Sequence, residues 1–210
     1  MRPIAALPQR GETLVALLVG LALGLGVLAM GAQMLARLLA EQRQLQVQSR
    51  LQLELHFALE RIANELQDAQ YSASAGQSRD ASACHDDFCD GPDDFSISDA
   101  RIVWSLDRNH NGVQDNNECT GYRLRAGSLQ QRSACQPETW VALSDPATLE
   151  LSGLRATLQC QPRAGGVQRQ VLLELQAHNP LRPSEAPWPL QQWVLLRNDL
   201  PASAAAGVCR

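Results

Sequence analysis

The chain has 210 residues, with 18 basic and 22 acidic side chains and a formal net charge of -4. That length holds one domain of about 100–150 residues plus an appended helix. The acidic balance excludes the basic face on which nucleic-acid binding depends, so no nucleic acid is expected as a partner.

In chain order, residues 1–11 form a short leader carrying Arg2 and Arg10, and residues 13–36 contain no charged side chain. About 24 helical residues at 1.5 Å each span roughly 36 Å, enough to cross a hydrocarbon core near 30 Å. An ordinary secretory signal has a shorter apolar run with the cleavage site behind it. Here the candidate cleavage site, Gly11 and Glu12, lies in front, so cutting would leave the apolar helix on the mature chain.

Beyond residue 36 the sequence turns polar without a break. Leu51, Leu55, Ala58, Leu59, Ile62 and Leu66 recur at spacings of three, four and seven, an amphipathic helical stripe. No proline occurs between Pro8 and Pro92, and the filling residues Glu41, Gln42, Arg43, Gln44, Gln46 and Gln48 are good helix formers. One helix is therefore expected, membrane-spanning over 12–36 and amphipathic over 37–71, with Gly20 and Gly24 spaced for close packing of helices.

Residues 72–93 read as an acidic, turn-rich loop pinned by Cys84 and Cys89. The period then changes to two, and strands are expected at Phe95 and Ile97, and over 102–106, 122–125, 140–143, 149–161, 168–178 and 191–197. Residues 163–166 suit a hairpin between two of the longest. A helix followed by a run of strands is the α+β class: a long N-terminal α-helix packed on an antiparallel β-sheet domain. Pro180, Pro183, Pro187 and Pro189 predict a stiff, non-helical approach to the last strand. Residues 201–207 read as a loose tail ending in Cys209.

All six cysteines, Cys84, Cys89, Cys119, Cys135, Cys160 and Cys209, lie in the 72–210 domain. An even number on one side of an apolar segment points to disulfides in an oxidising compartment. Six cysteines allow fifteen arrangements. The pairing adopted as an expectation is Cys84 with Cys89, Cys119 with Cys135, and Cys160 with Cys209. A zinc site is the weaker reading, because Cys84 and Cys89 have only His85 nearby and no second close pair.

Residues 107–118 fit a twelve-residue calcium loop. Asp107, Asn109, Asn111, Asp115 and Glu118 supply oxygens at positions 1, 3, 5, 9 and 12, Val113 a backbone carbonyl at 7, and Gly112 the sharp turn at 6. Calcium takes six to eight hard oxygen ligands from a flexible loop. Since residues 102–106 read as a strand, this would be a calcium loop without the preceding helix of an EF-hand. Two asparagines replace aspartates, which implies weak binding, on the order of 0.1 to 1 mM. The alternative is an Asn/Gly-rich turn between strands.

No catalytic set is legible. His56, His85, His110 and His178 lack a nucleophile elbow or a His-Glu-x-x-His context, and Asp86, Asp87, Asp90, Asp93 and Asp94 read as a solvated charge run. The chain is expected not to be an enzyme.

Gln9-Arg10-Gly11-Glu12-Thr13-Leu14-Val15-Ala16-Leu17-Leu18 resembles the leader of class III prepilins. Glu12 stands where that family usually has phenylalanine. Ala16 stands where it has the glutamate that neutralises a neighbouring subunit's N-terminal amine. Phe57-Ala58-Leu59-Glu60-Arg61-Ile62 with Tyr71 is similar to the minor pilins called PilW. Ile102-Val103-Trp104, the 107–118 loop, Gly121-Tyr122-Arg123-Leu124 and Ser133-Ala134-Cys135 with Trp140 resemble prepilin peptidase-dependent protein B.

The resemblance implies a type IV pilin-like minor subunit, cleaved between Gly11 and Glu12 by a prepilin peptidase and methylated at the new N-terminus. It would sit in the bacterial inner membrane as a single-pass protein with a periplasmic domain. From there it would join a pilus with other minor pilins and the major pilin. The lost glutamate suits a specialised, non-repeating position. Alternatives are a minor pseudopilin of a type II secretion system, or a periplasmic binding domain on an uncleaved signal anchor.

Overall fold

The computed structural model describes residues 13–75, 86–89, 91, 93–179 and 184–209. Helix α1 runs from Leu14 to Leu66, as the unbroken run of helix formers predicts. The chain divides into two compact units, Met1–Val47 and Gln48–Arg210.

In the first unit the described residues are the leading part of α1. An 18-residue window of α1 reaches a mean hydropathy of 2.5 with none of it buried, so the helix is long and apolar enough to cross a membrane. Its leucines, valines and methionines from Leu14 to Leu45 are exposed, Leu14 and Met30 at 74% and 73%. An apolar surface of this extent needs a lipid or protein environment.

In the second unit α1 buries Leu51, Leu55, Leu59, Ile62, Ala63 and Leu66, the face that the spacing of three and four predicts. Each such leucine or isoleucine contributes about 1.5–3 kcal/mol by leaving water. The strands form two antiparallel sheets, both in chain order. Sheet A holds β1 (Phe95–Ser98), β2 (Arg101–Ser105), β3 (Cys119–Arg125), β4 (Ser128–Ala134) and β5 (Thr139–Ala142). Sheet B holds β6 (Leu151–Arg163), β7 (Gly166–Ala177) and β8 (Trp188–Leu195). Ile102, Trp104, Tyr122 and Leu129 of the first and Leu154, Val171, Leu173, Leu175 and Val194 of the second join the helix face in one core.

The expected hairpin joins β6 to β7, with Arg163 opposite Gly166 and Gly165 at φ 97°. Three features depart from expectation. Strand β4 is additional; its sequence, Ser-Leu-Gln-Gln-Arg-Ser-Ala, carries one large apolar residue, so alternation is invisible. It is turned back on β3 by Ala126 and Gly127, both at positive φ, the primed-turn geometry that matches strand twist. Strand β8 starts at Trp188 and takes in Pro189, which an edge strand accepts because an outward-facing position needs no N–H. The tail is a short helix, α2 (Ala202–Val208), rather than loose chain. Alanine favours helix, Pro201 stands at the N-cap with its fixed φ, and Cys209 is bonded to Cys160.

Candidate functional site

The 107–118 loop is the connection between β2 and β3. Asp107 and Glu118 stand at its ends, both buried. Asp107 accepts the N–H groups of Ala73 and Gly112 at 3.0 Å through Oδ2 and that of Asn111 at 3.1 Å through Oδ1. Glu118 accepts the N–H groups of Arg108 at 2.8 Å and Asn109 at 3.3 Å through Oε1, and that of Asp115 at 2.8 Å through Oε2. Among the described residues, the hydrogen bonds to these two carboxylates come from backbone N–H groups.

Between them, Asn109 and Asn111 cap the N–H groups two residues ahead, at 3.0 and 2.8 Å. Both turn their amide nitrogens to Asp115 Oδ2, at 2.6 and 3.2 Å. The side chains at positions 1, 3, 5, 9 and 12 of the template are therefore drawn into one hydrogen-bonded ring. Val113 at position 7 leaves its side chain in solvent. Gly112 has φ 76°, which favours glycine, and a Cβ there would lie 3.2 Å from Cβ and Oγ of Ser74, a tight contact. Among the described residues, no three His, Cys, Asp or Glu side chains form a metal-binding group. The ring combines three acidic residues with two asparagines.

The loop is fastened from outside. Asp107 donates its N–H to Tyr71 O at 2.8 Å, and Tyr71 Oη meets His110 Nδ1 at 3.1 Å. Cys119 is bonded to Cys135, whose N–H donates to Asn116 O at 2.8 Å. Gln114 Nε2 donates to Asp94 Oδ1 at 2.8 Å, drawing in the acidic segment.

Among the other residues singled out by sequence, Cys160 is bonded to Cys209, and Cys89 is in disulfide form. Cys84, like Gly11 and Glu12 of the leader, lies outside the described residues. His56 sits 3.1 Å from Glu60 on the helix. His178 Nδ1 is buried without a hydrogen-bond partner among the described residues.

Two clusters had no sequence signal because their members are far apart in the chain. Arg169, fully buried, donates to Gln70 Oε1 and, at 2.9 Å, to Asn198 O, while Gln70 Nε2 donates to the Phe88 and Cys89 carbonyls. This network ties the segment after α1 to β7 and to the segment after β8. Trp140 on β5 is flanked by Arg123 and Arg101, whose Cζ atoms lie 4.3 and 5.4 Å from its ring centroid.

The family model of prepilin peptidase-dependent protein B matches residues 44–196, well over half of the chain. The chain belongs to this family. Neither the curated proteins nor the solved structures contain a match to it. The span of prepilin peptidase-dependent protein B opens within α1, just before its buried stripe, and closes at Leu196, the residue after β8. It takes in the 107–118 loop, the Cys119–Cys135 bond and both sheets. The uncharged stretch of α1 and the tail with Cys209 fall outside it. Membership makes this a pilus-related protein linked to prepilin peptidase.

Proposed function

We propose that the chain is a minor pilin-like subunit that takes part in initiating or assembling type IV pili after prepilin peptidase removes residues 1–11. The observation that carries this reading is α1. One helix begins with an exposed apolar surface of membrane-spanning length and continues into a domain whose core it completes. A bacterial inner membrane covers the apolar part until neighbouring subunits' helices replace the lipid. The periplasm supplies the oxidising surroundings that the disulfides need.

Cleavage leaves Glu12 first and Ala16 fifth, with no carboxylate inside the apolar stretch. A buried amine without a partner is costly in a filament interior. A low-copy, non-repeating position follows from that. Other minor pilins and the major pilin are the partners in this reading.

Calcium has a structural part in it. Asp107, Asn109, Asn111, Asp115 and Glu118 with the Val113 carbonyl would hold the ion, as the spacing of the twelve-residue loop suggests. At a dissociation constant on the order of 0.1–1 mM, roughly 5 mM calcium should stabilise the fold by about 1–2 kcal/mol. Melting of the full chain in detergent with and without calcium checks this. Equal melting temperatures, with unchanged amide shifts near Gly112, would remove calcium from the account.

The reading is tested by deleting the gene and counting surface pili. Few or no pili are expected, with recovery on complementation. Normal piliation with failed secretion of folded proteins would instead select a type II secretion pseudopilus.

A further inference from the structure

Sheet A carries an arginine cluster on the face opposite Ile102, Trp104 and Tyr122. Arg101 on β2 stands directly across from Arg123 on β3. Arg125 follows on the same face by the two-residue alternation of a strand. Like charges directly opposite each other are destabilising, so something must hold them. Trp140 does part of this, with both guanidiniums against its ring. Arg123 Nε also donates to Gln130 Oε1 at 2.8 Å.

The carboxylate at this cluster is Glu138. Arg101 holds it at 2.6 Å, and the buried Arg132 approaches it at 3.5 Å. Arg123 and Arg125 have no carboxylate within ion-pair distance among the described residues, and Arg125 is exposed. Burial, then the cations of Arg125 and Arg101, hold the Arg123 guanidinium below its ordinary pKa against the pull of Glu138. On a chain of net charge -4 the accessible cations here are Arg101, Arg123 and Arg125 beside Glu138, while the buried Arg132 is also held by Asp93 at 2.8 Å.

We propose that this face docks an acidic segment of a partner polypeptide, with carboxylates taken by Arg123 and Arg125. The guanidinium fork matches a carboxylate in two parallel hydrogen bonds. Positions i and i+2 of a strand lie about 7 Å apart, the spacing of alternate side chains in an extended segment. Stacking on Trp140 holds Arg123 in place beforehand, which lowers the ordering cost of binding. The net negative charge elsewhere repels an acidic partner and so directs it to this face. Three cations are too few for duplex DNA, whose binders neutralise about 6–10 phosphates. The cluster belongs to the folded domain and does not depend on entry into a pilus.

The full chain in dodecyl maltoside micelles would be titrated against a fluorescein-labelled Glu-Ser-Glu-Ser-Glu-Ser peptide by anisotropy. The peptide should bind, and its glutamine counterpart should not. Raising salt from about 50 to about 300 mM should weaken binding. Arg123→Gln with Arg125→Gln should weaken it about tenfold or more. Arg125→Gln alone, at an exposed position, should weaken it with the melting temperature unchanged. The proposal is overturned if the wild type does not bind, or if the double variant binds equally well. Tighter binding of equally charged duplex DNA or phosphatidylglycerol vesicles to the same arginines would also overturn it.

Discussion

Asp107 shows how single residues set the behaviour of the β2–β3 loop. Burial raises its carboxyl pKa, but the N–H groups of Ala73, Gly112, Asn111 and His110 outweigh this and hold it below the ordinary value. An aspartate in the unfolded chain titrates near pH 3.9. With the folded value lower, its stabilisation is fully present above about pH 4 and is lost as pH falls through the folded pKa. The calcium-free chain should lose stability as pH falls below about 4, and Asp107→Asn should flatten that slope in urea titrations. An unchanged slope would mean that the carboxylate is not held in this way. Arg169 is the second case. Burial lowers its pKa to about 10 against the pull of Asp199. Arg169→Ala removes the donors to Gln70 and Asn198 and opens a cavity, so a loss of about 3 kcal/mol is expected in denaturant unfolding.

At the scale of elements, the C-terminal staple is the clearest test. The Cys160–Cys209 bond closes 49 residues and fastens α2 to β6. Chain entropy gives such a crosslink about 4 kcal/mol as an upper figure and about 2–4 in practice. Cys160→Ser with Cys209→Ser should therefore lower the urea midpoint and fray α2, while an unchanged midpoint would show that the staple constrains nothing. The elements themselves were unequally legible. Helix α1 was plain because a spacing of three and four persists over many turns, and β6 and β7 because they are long and flank a Gly-Gly turn. Strand β4 left no pattern, since its inward Gln131 meets Glu65 through hydrogen bonds at 2.9 and 3.2 Å rather than apolar contact. The partition into two sheets was not legible either, because alternation marks a strand's faces and not its neighbours. In the loop, spacing named the oxygen-bearing residues. It could not show that Asp115 gathers both asparagine amides, nor bring Arg101 and Arg123 to Trp140 across strand pairings.

At the scale of the whole molecule, two kinds of surface are joined in one chain. The described part of Met1–Val47 exposes its apolar side chains, and Gln48–Arg210 buries most of its own in a main core beneath the two sheets and a smaller cluster around Leu200 and Ala205. Only the first needs an apolar environment, which is why the account rests on what happens at its N-terminal end. The most direct measurement is the mass and N-terminal sequence of the mature chain, made with and without prepilin peptidase. The account predicts a chain beginning at Glu12, methylated, when the peptidase is present, and one beginning at Met1 when it is absent. A chain that begins at Met1 in both would contradict it and leave a membrane anchor that is never processed.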